Sequence, residues 1–167
     1  MQLGQYFREK PANVVLYATI EFYHPDFGVL RYVFNQYSPL TATLESTAPR
    51  NASTAVVFEP IAGQAPDPEQ GQFGASVEVQ LGIAGVQLKE KMNAITDIGR
   101  RTPIEGIWRR FVSDDLTAPA AVFVMQVASV NLAGRQGAVL LQQYSPQQRS
   151  TWRMYKDDEF PGTATNA

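Results

Sequence analysis

The sequence predicts a mainly β protein, an antiparallel sandwich or barrel with one flanking α-helix, and three observations carry that expectation. Period-two alternation of apolar and polar residues recurs in seven or eight separate runs. Only one window switches to the three-and-four spacing of an amphipathic helix. Pro, Gly and Asp cluster between the runs, where turns need them. A parallel βαβ fold would require several crossover helices, which these patterns do not supply. At 167 residues the chain fits one domain with a sizeable core, so residues 1–167 read as a single β domain.

The first element is a hairpin. Leu16, Ala18, Ile20 and Phe22 alternate with Val15, Tyr17, Thr19 and Glu21, and His24-Pro25-Asp26-Phe27-Gly28 makes the turn. Leu30, Tyr32 and Phe34 return the chain. A shorter alternation follows at Leu40, Ala42 and Leu44, then a polar loop from Ser46 to Ser53, then a strand from Thr54 to Glu59. Residues 60–74 hold three Pro, three Gly and several Gln, which predicts a long loop. The next strand carries Val77, Val79, Leu81 and Ile83. Leu88, Met92 and Ile95 then predict the helix, about 86–98, with Gly99 closing it. A strand from Pro103 to Val112 ends at the turn Asp114-Asp115. Ala120 to Val130 and Ala138 to Tyr144 read as a second hairpin across a glycine-bearing loop. From about 145 the pattern thins into an extended C-terminal tail.

Composition removes several function classes. A formal net charge of −2 gives no strong field toward nucleic acid or acidic membranes. With no cysteine, thiolate nucleophiles and disulfides are out, and most zinc sites with them. No stretch has the roughly 18 apolar residues of a membrane helix, and the N-terminus lacks an apolar core of signal-peptide length. His24, the sole histidine, reads as an exposed turn residue rather than a base or ligand. Asp114-Asp115 and Asp157-Asp158-Glu159 lack the alternate spacing of a calcium loop. No serine sits in a Gly-x-Ser-x-Gly elbow, and no glycine run makes a phosphate cradle. The expectation is a non-enzyme with no cofactor and no metal.

Interface chemistry is the stronger signal. Ten Arg stand against four Lys, and Arg is favoured where planar ion pairs cross a contact. Arg100, Arg101, Arg109 and Arg110 gather between the helix and a strand. Asp97, Glu105, Asp114 and Asp115 lie close by, so a subunit contact or solvated face is favoured over a nucleic-acid patch. Thr151-Trp152-Arg153-Met154-Tyr155-Lys156 mixes residue types enriched at interface cores. The candidate subunit interface is therefore Arg100, Arg101, Arg109, Arg110, Trp152, Arg153 and Tyr155.

The order of these elements resembles a family of small tailed-bacteriophage tail proteins of unassigned function, encoded among tail-tip genes. The stretches that carry the resemblance are Val77-Glu78-Val79-Gln80-Leu81-Gly82-Ile83 with Gln87 to Thr96, Thr102-Pro103-Ile104-Glu105, Phe111-Val112-Ser113-Asp114, and the close Trp152-Arg153-Met154-Tyr155 with Phe160-Pro161-Gly162. The resemblance covers nearly the whole chain. It implies a structural ring at the distal end of a long tail, tail-tube-like in architecture and hexameric. It also implies tube, tape-measure and tail-tip hub proteins as neighbours, assembled in the host bacterial cytoplasm into the virion. It brings no catalytic residues. The competing expectation is a carbohydrate- or ligand-binding β module using Trp108, Trp152 or Tyr155 as stacking platforms; a tail-associated hydrolase ranks below both.

Overall fold

β-Branched and aromatic residues at every second position build most of the molecule from strands. The computed structural model describes residues 8–9, 11, 13–66, 69–71, 74–97, 99–133 and 136–143. The strands are β1 (Leu16–His24), β2 (Gly28–Phe34), β3 (Leu40–Thr43), β4 (Ala55–Ile61), β5 (Glu69–Gly71), β6 (Gly74–Gly82), β7 (Glu105–Val112), β8 (Ala121–Ala133) and β9 (Gln136–Gln142). Helix α1 (Ile83–Asn93) follows β6, and a 3-10 turn occupies Gly99–Arg101.

The strands form one sheet in the order β3-β4-β2-β1-β7-β8-β9-β6-β5. Neighbours are antiparallel except β2 and β4, which run parallel over Tyr32↔Glu59, Val33↔Pro60 and Phe34↔Ile61. The sheet is thus mixed rather than wholly antiparallel. The sheet also closes back on itself: past β4, Gln64 exchanges backbone hydrogen bonds of 3.1 and 2.9 Å with Gln80 of β6. That junction curls the sheet into a barrel.

The hairpin register puts Ile20, Phe22, Tyr32 and Phe34 on the inner face, with Trp108, Met125, Leu141, Val79 and Leu81 from the other strands. Each fully buried large apolar side chain contributes roughly 1.5–3 kcal/mol relative to exposure. A bulge between Val127 and Ser129 changes the parity of β8, so Val127 and Val130 both reach this core. The outer face of β2 and β7 carries a second cluster, Val33 and Phe111 under Ala42, Leu44, Ala48, Val56 and Phe58. β3, β4 and the 44–54 loop therefore lie over one side of the barrel.

Helix α1 begins three residues before the expected start and ends five before the expected end. Gly82 has φ +54°, a left-handed conformation that turns β6 directly into the helix. At the other end Ala94 caps it, and Ile95 is buried just beyond. Gly85 of the helix meets Gly137 of β9 backbone to backbone: a Cβ on either would lie 2.5 Å from the other's Cα. The expected loop 60–74 also holds structure, namely the end of β4, the Gln64 bridge and β5.

Candidate functional site

Three arrangements use the polar residues. The first is a buried ion cluster on the outer face of β1, β2 and β7. Opposite residues of an antiparallel pair share a face, so Glu21↔Arg31 and Thr19↔Arg109 bring Glu21, Arg31 and Arg109 to one side. The 44–54 loop then supplies Glu45 and Arg50. Arg109 binds Glu45 through Nε at 2.9 Å and Nη2 at 3.0 Å. Its Nη1 lies 3.4 Å from Glu21, whose carboxylate also takes Arg31 Nε at 2.8 Å and Arg50 Nη2 at 3.3 Å. Arg50 continues to Glu105 at 2.7 Å and lies 3.8 Å from the centre of the Tyr23 ring. Three arginines meet three carboxylates, so the charge closes on itself.

The second arrangement is a clasp between the first hairpin and the chain after α1. His24 is fully buried, contrary to the expectation of an exposed turn residue. Its Nδ1 accepts from the Asp26 N–H at 3.1 Å, which leaves Nε2–H to donate to Gly99 O at 3.1 Å. The Asp26 carboxylate accepts from Thr96 N–H and from Thr96 Oγ1, each at 2.9 Å. The Thr96 backbone bond, then its hydroxyl, hold the Asp26 carboxyl below its ordinary value of 3.8. The turn folds inward because Gly99 and Thr96 offer it partners. Asp115 behaves similarly in its own turn, accepting from Thr117 Oγ1 at 2.6 Å and from its N–H at 3.1 Å. Those two bonds lower its carboxyl too.

The third arrangement is an open groove of about 600 Å³ where β2 and β4 diverge. Val29, Leu30 and Tyr32 line one side, Val57 and Glu59 the other, and Ile83 of α1 forms the end wall. Val57 is 51% exposed and Ile83 71%. Burial, and secondarily the Glu59 charge, push the Tyr32 phenol up. Among the described residues, no three His, Asp or Glu side chains converge as a metal site.

The sequence-predicted interface arginines do not form one patch. Arg100 and Arg101 are exposed on the 3-10 turn, and Arg100 sits 3.7 Å from Asp97. Arg109 is 0% exposed and held by Glu45 and Glu21, so its expected role at a subunit contact is corrected to an internal one. Arg110 points to the opposite face and lies half-buried, 5.2 Å from the Trp108 ring centre. Strand alternation separates the two neighbours. Trp108 is 1% exposed, which removes it as a stacking platform. Trp152, Arg153 and Tyr155 lie outside the described residues. The residues missed were Glu21, Arg31, Glu45 and Arg50 of the cluster, the His24 clasp, and the groove. A signal existed for the first: Glu21, Arg31 and Arg109 share strand parity opposite the apolar set.

A family model described as a domain of unknown function (DUF1833) matches residues 3–142. The chain belongs to the DUF1833 family. No curated protein matches it. The DUF1833 match spans β1 through β9, so cluster, clasp and groove all belong to the family's unit, and residues 143–167 follow it.

Proposed function

We propose that the protein is a structural subunit of a long-tailed phage tail tip, assembling with copies of itself into a closed ring between the tail tube and the tip. The observation that carries this reading is a pair of different exposed apolar surfaces. One is the groove with Val57 and Ile83. The other is the outer face of β8, where Val122 is 36% and Val124 57% exposed. β1 and β7 stand between β2 and β8 in the sheet. A ring closed by rotation needs two unlike, complementary surfaces on each subunit. The internal use of Arg109, Glu21 and His24, all buried, also favours scaffold over chemistry, since these groups spend their hydrogen bonds on the fold. Tube, tape-measure and hub proteins are the proposed neighbours, and the virion tail the proposed location.

Light scattering on the purified protein at low and high salt tests the reading. A closed oligomer of about six subunits supports it, and dissociation at high salt points to Arg100 and Arg101. A monomer at all concentrations turns the assignment toward the ligand-binding β module, for which the groove is the site to screen with sugars.

A further inference from the structure

Two polar side chains stand together in the groove. Tyr32 and Glu59 are paired residues of parallel neighbours, so their side chains lie side by side on one face. Tyr32 is 7% exposed and belongs to the inner core, yet it lines the groove. Its hydroxyl makes no hydrogen bond among the described residues and is not closed off from solvent, so it opens into the groove. Burial, then the Glu59 charge, pushes the phenol up, which keeps it a neutral group able to donate and accept. Glu59 is exposed and meets no cation among the described residues.

Charge decides what these two groups would hold. Arg31, the other charged residue of the lining, turns to the outer face, where Glu21 and Asn51 each accept from it at 2.8 Å. The start of α1 borders the groove through Ile83 and Ala84 and has no acidic side chain in its first turn. A helix start carries about half a positive charge, against the full negative charge of Glu59. The balance favours a cation. Around these groups the walls are apolar, with Leu30 from β2, Val57 from β4 and Ile83 from α1, and Gln87 adds one side-chain amide. Apolar walls with a few converging polar groups, around about 600 Å³, have the make-up of a small-molecule site.

We propose that the groove binds a small amphipathic amine, its ammonium held between the Glu59 carboxylate and the Tyr32 hydroxyl and its hydrocarbon body lying against Leu30, Val57 and Ile83. Because Tyr32 is a core residue, its hydroxyl is reached by a slender chain and not by the broad surface of a protein. The site is complete within one subunit, so it goes beyond the ring reading and does not depend on it.

Hexylammonium, hexanol and hexanoate share one hydrocarbon body and differ in charge. Each is titrated into the full chain carrying isotope-labelled Ile and Val methyls. The Ile83 and Val57 methyls are followed by NMR, with the exposed Val124 of β8 as the control. Hexylammonium is expected to move Ile83 and Val57, to leave Val124 in place, and to bind at least about fivefold more tightly than either analogue. Glu59→Gln, a change at an exposed residue, should bring the amine and the alcohol within about twofold of each other. Tyr32→Phe keeps the ring in the core and should weaken the amine at least about threefold. Hexanol or hexanoate binding as tightly as the amine overturns the proposal. So does an amine affinity that either substitution leaves unchanged, or Ile83 methyls that do not move.

Discussion

Replacing Arg109 with Met removes the guanidinium while keeping most of the apolar stem. In the parent, the group is 0% exposed and makes three hydrogen bonds to Glu45 and one to Glu21. Removing one member of a buried ion pair costs about 3–5 kcal/mol, because the other charge stays buried without compensation. Here two things moderate the loss. Glu21 keeps Arg31 and Arg50, and the Glu45 side chain is 16% exposed and can recover water. The lower end, about 3 kcal/mol, is therefore expected. For a chain of this size that is a fall in Tm of about 6–12 °C. Thermal unfolding by circular dichroism measures it, and adding Glu45→Gln should recover part of it, with a coupling of at least about 1 kcal/mol. A variant melting within about 2 °C of the parent, or additive effects of the two changes, would falsify the view that Arg109 is internal. It would return that residue to the interface set.

Four further outcomes follow from the geometry. Gly85→Ala should lower stability by about 1–3 kcal/mol, read by urea unfolding; helix propensity alone gives the opposite sign by up to about 1 kcal/mol, so the sign decides whether the Gly85–Gly137 contact is tight. His24→Ala removes the clasp's acceptor and donor, and a loss of about 2–3 kcal/mol in the same assay is expected. Asp26 has a lowered folded pKa, so its contribution is complete above its ordinary value of 3.8 and disappears as pH falls toward the folded value. Asp26→Asn should accordingly narrow its stability gap to the parent as pH drops from 6 to 3, and a constant gap would refute the Thr96 assignment. Arg100→Glu with Arg101→Glu should leave Tm within about 2 °C of the parent, as expected for exposed surface charges, while weakening the oligomer in light scattering; an unchanged oligomer removes both from the proposed contact.

Alternation made much of the barrel legible in the sequence. Ile20 and Phe22 opposite Tyr32 and Leu30 define the first hairpin without reference to the rest of the chain, and Leu88 with Met92 locates the helix. What stayed hidden depends on partners distant in sequence. Ser46 to Ser53 reads as a polar loop because Arg50 is charged, yet it folds over the sheet because Glu21 and Glu105 are there to meet it. His24 looks like any turn residue until Gly99, 75 positions away, presents its carbonyl. The helix limits shifted because Gly82 supplies a positive φ at the junction, which no periodicity reports. The parallel β2–β4 pair was also out of reach, since period two is the same for either strand direction.

That parallel pair links fold to the proposed assembly. β4 divides its pairing between β3, over Ala55 to Phe58, and β2, over Glu59 to Ile61, before Gln64 joins β6. β4 turns the backbone groups of odd-numbered residues toward β2 and those of even-numbered ones toward β3, so the two pairings use opposite edges and do not compete. What opens before Tyr32 is a divergence of β2 from β4, and it leaves the groove lined by Val29, Leu30, Val57 and Ile83. That exposed apolar groove on one side and Val122 with Val124 of β8 on the other are unlike surfaces, as a ring closed by rotation requires.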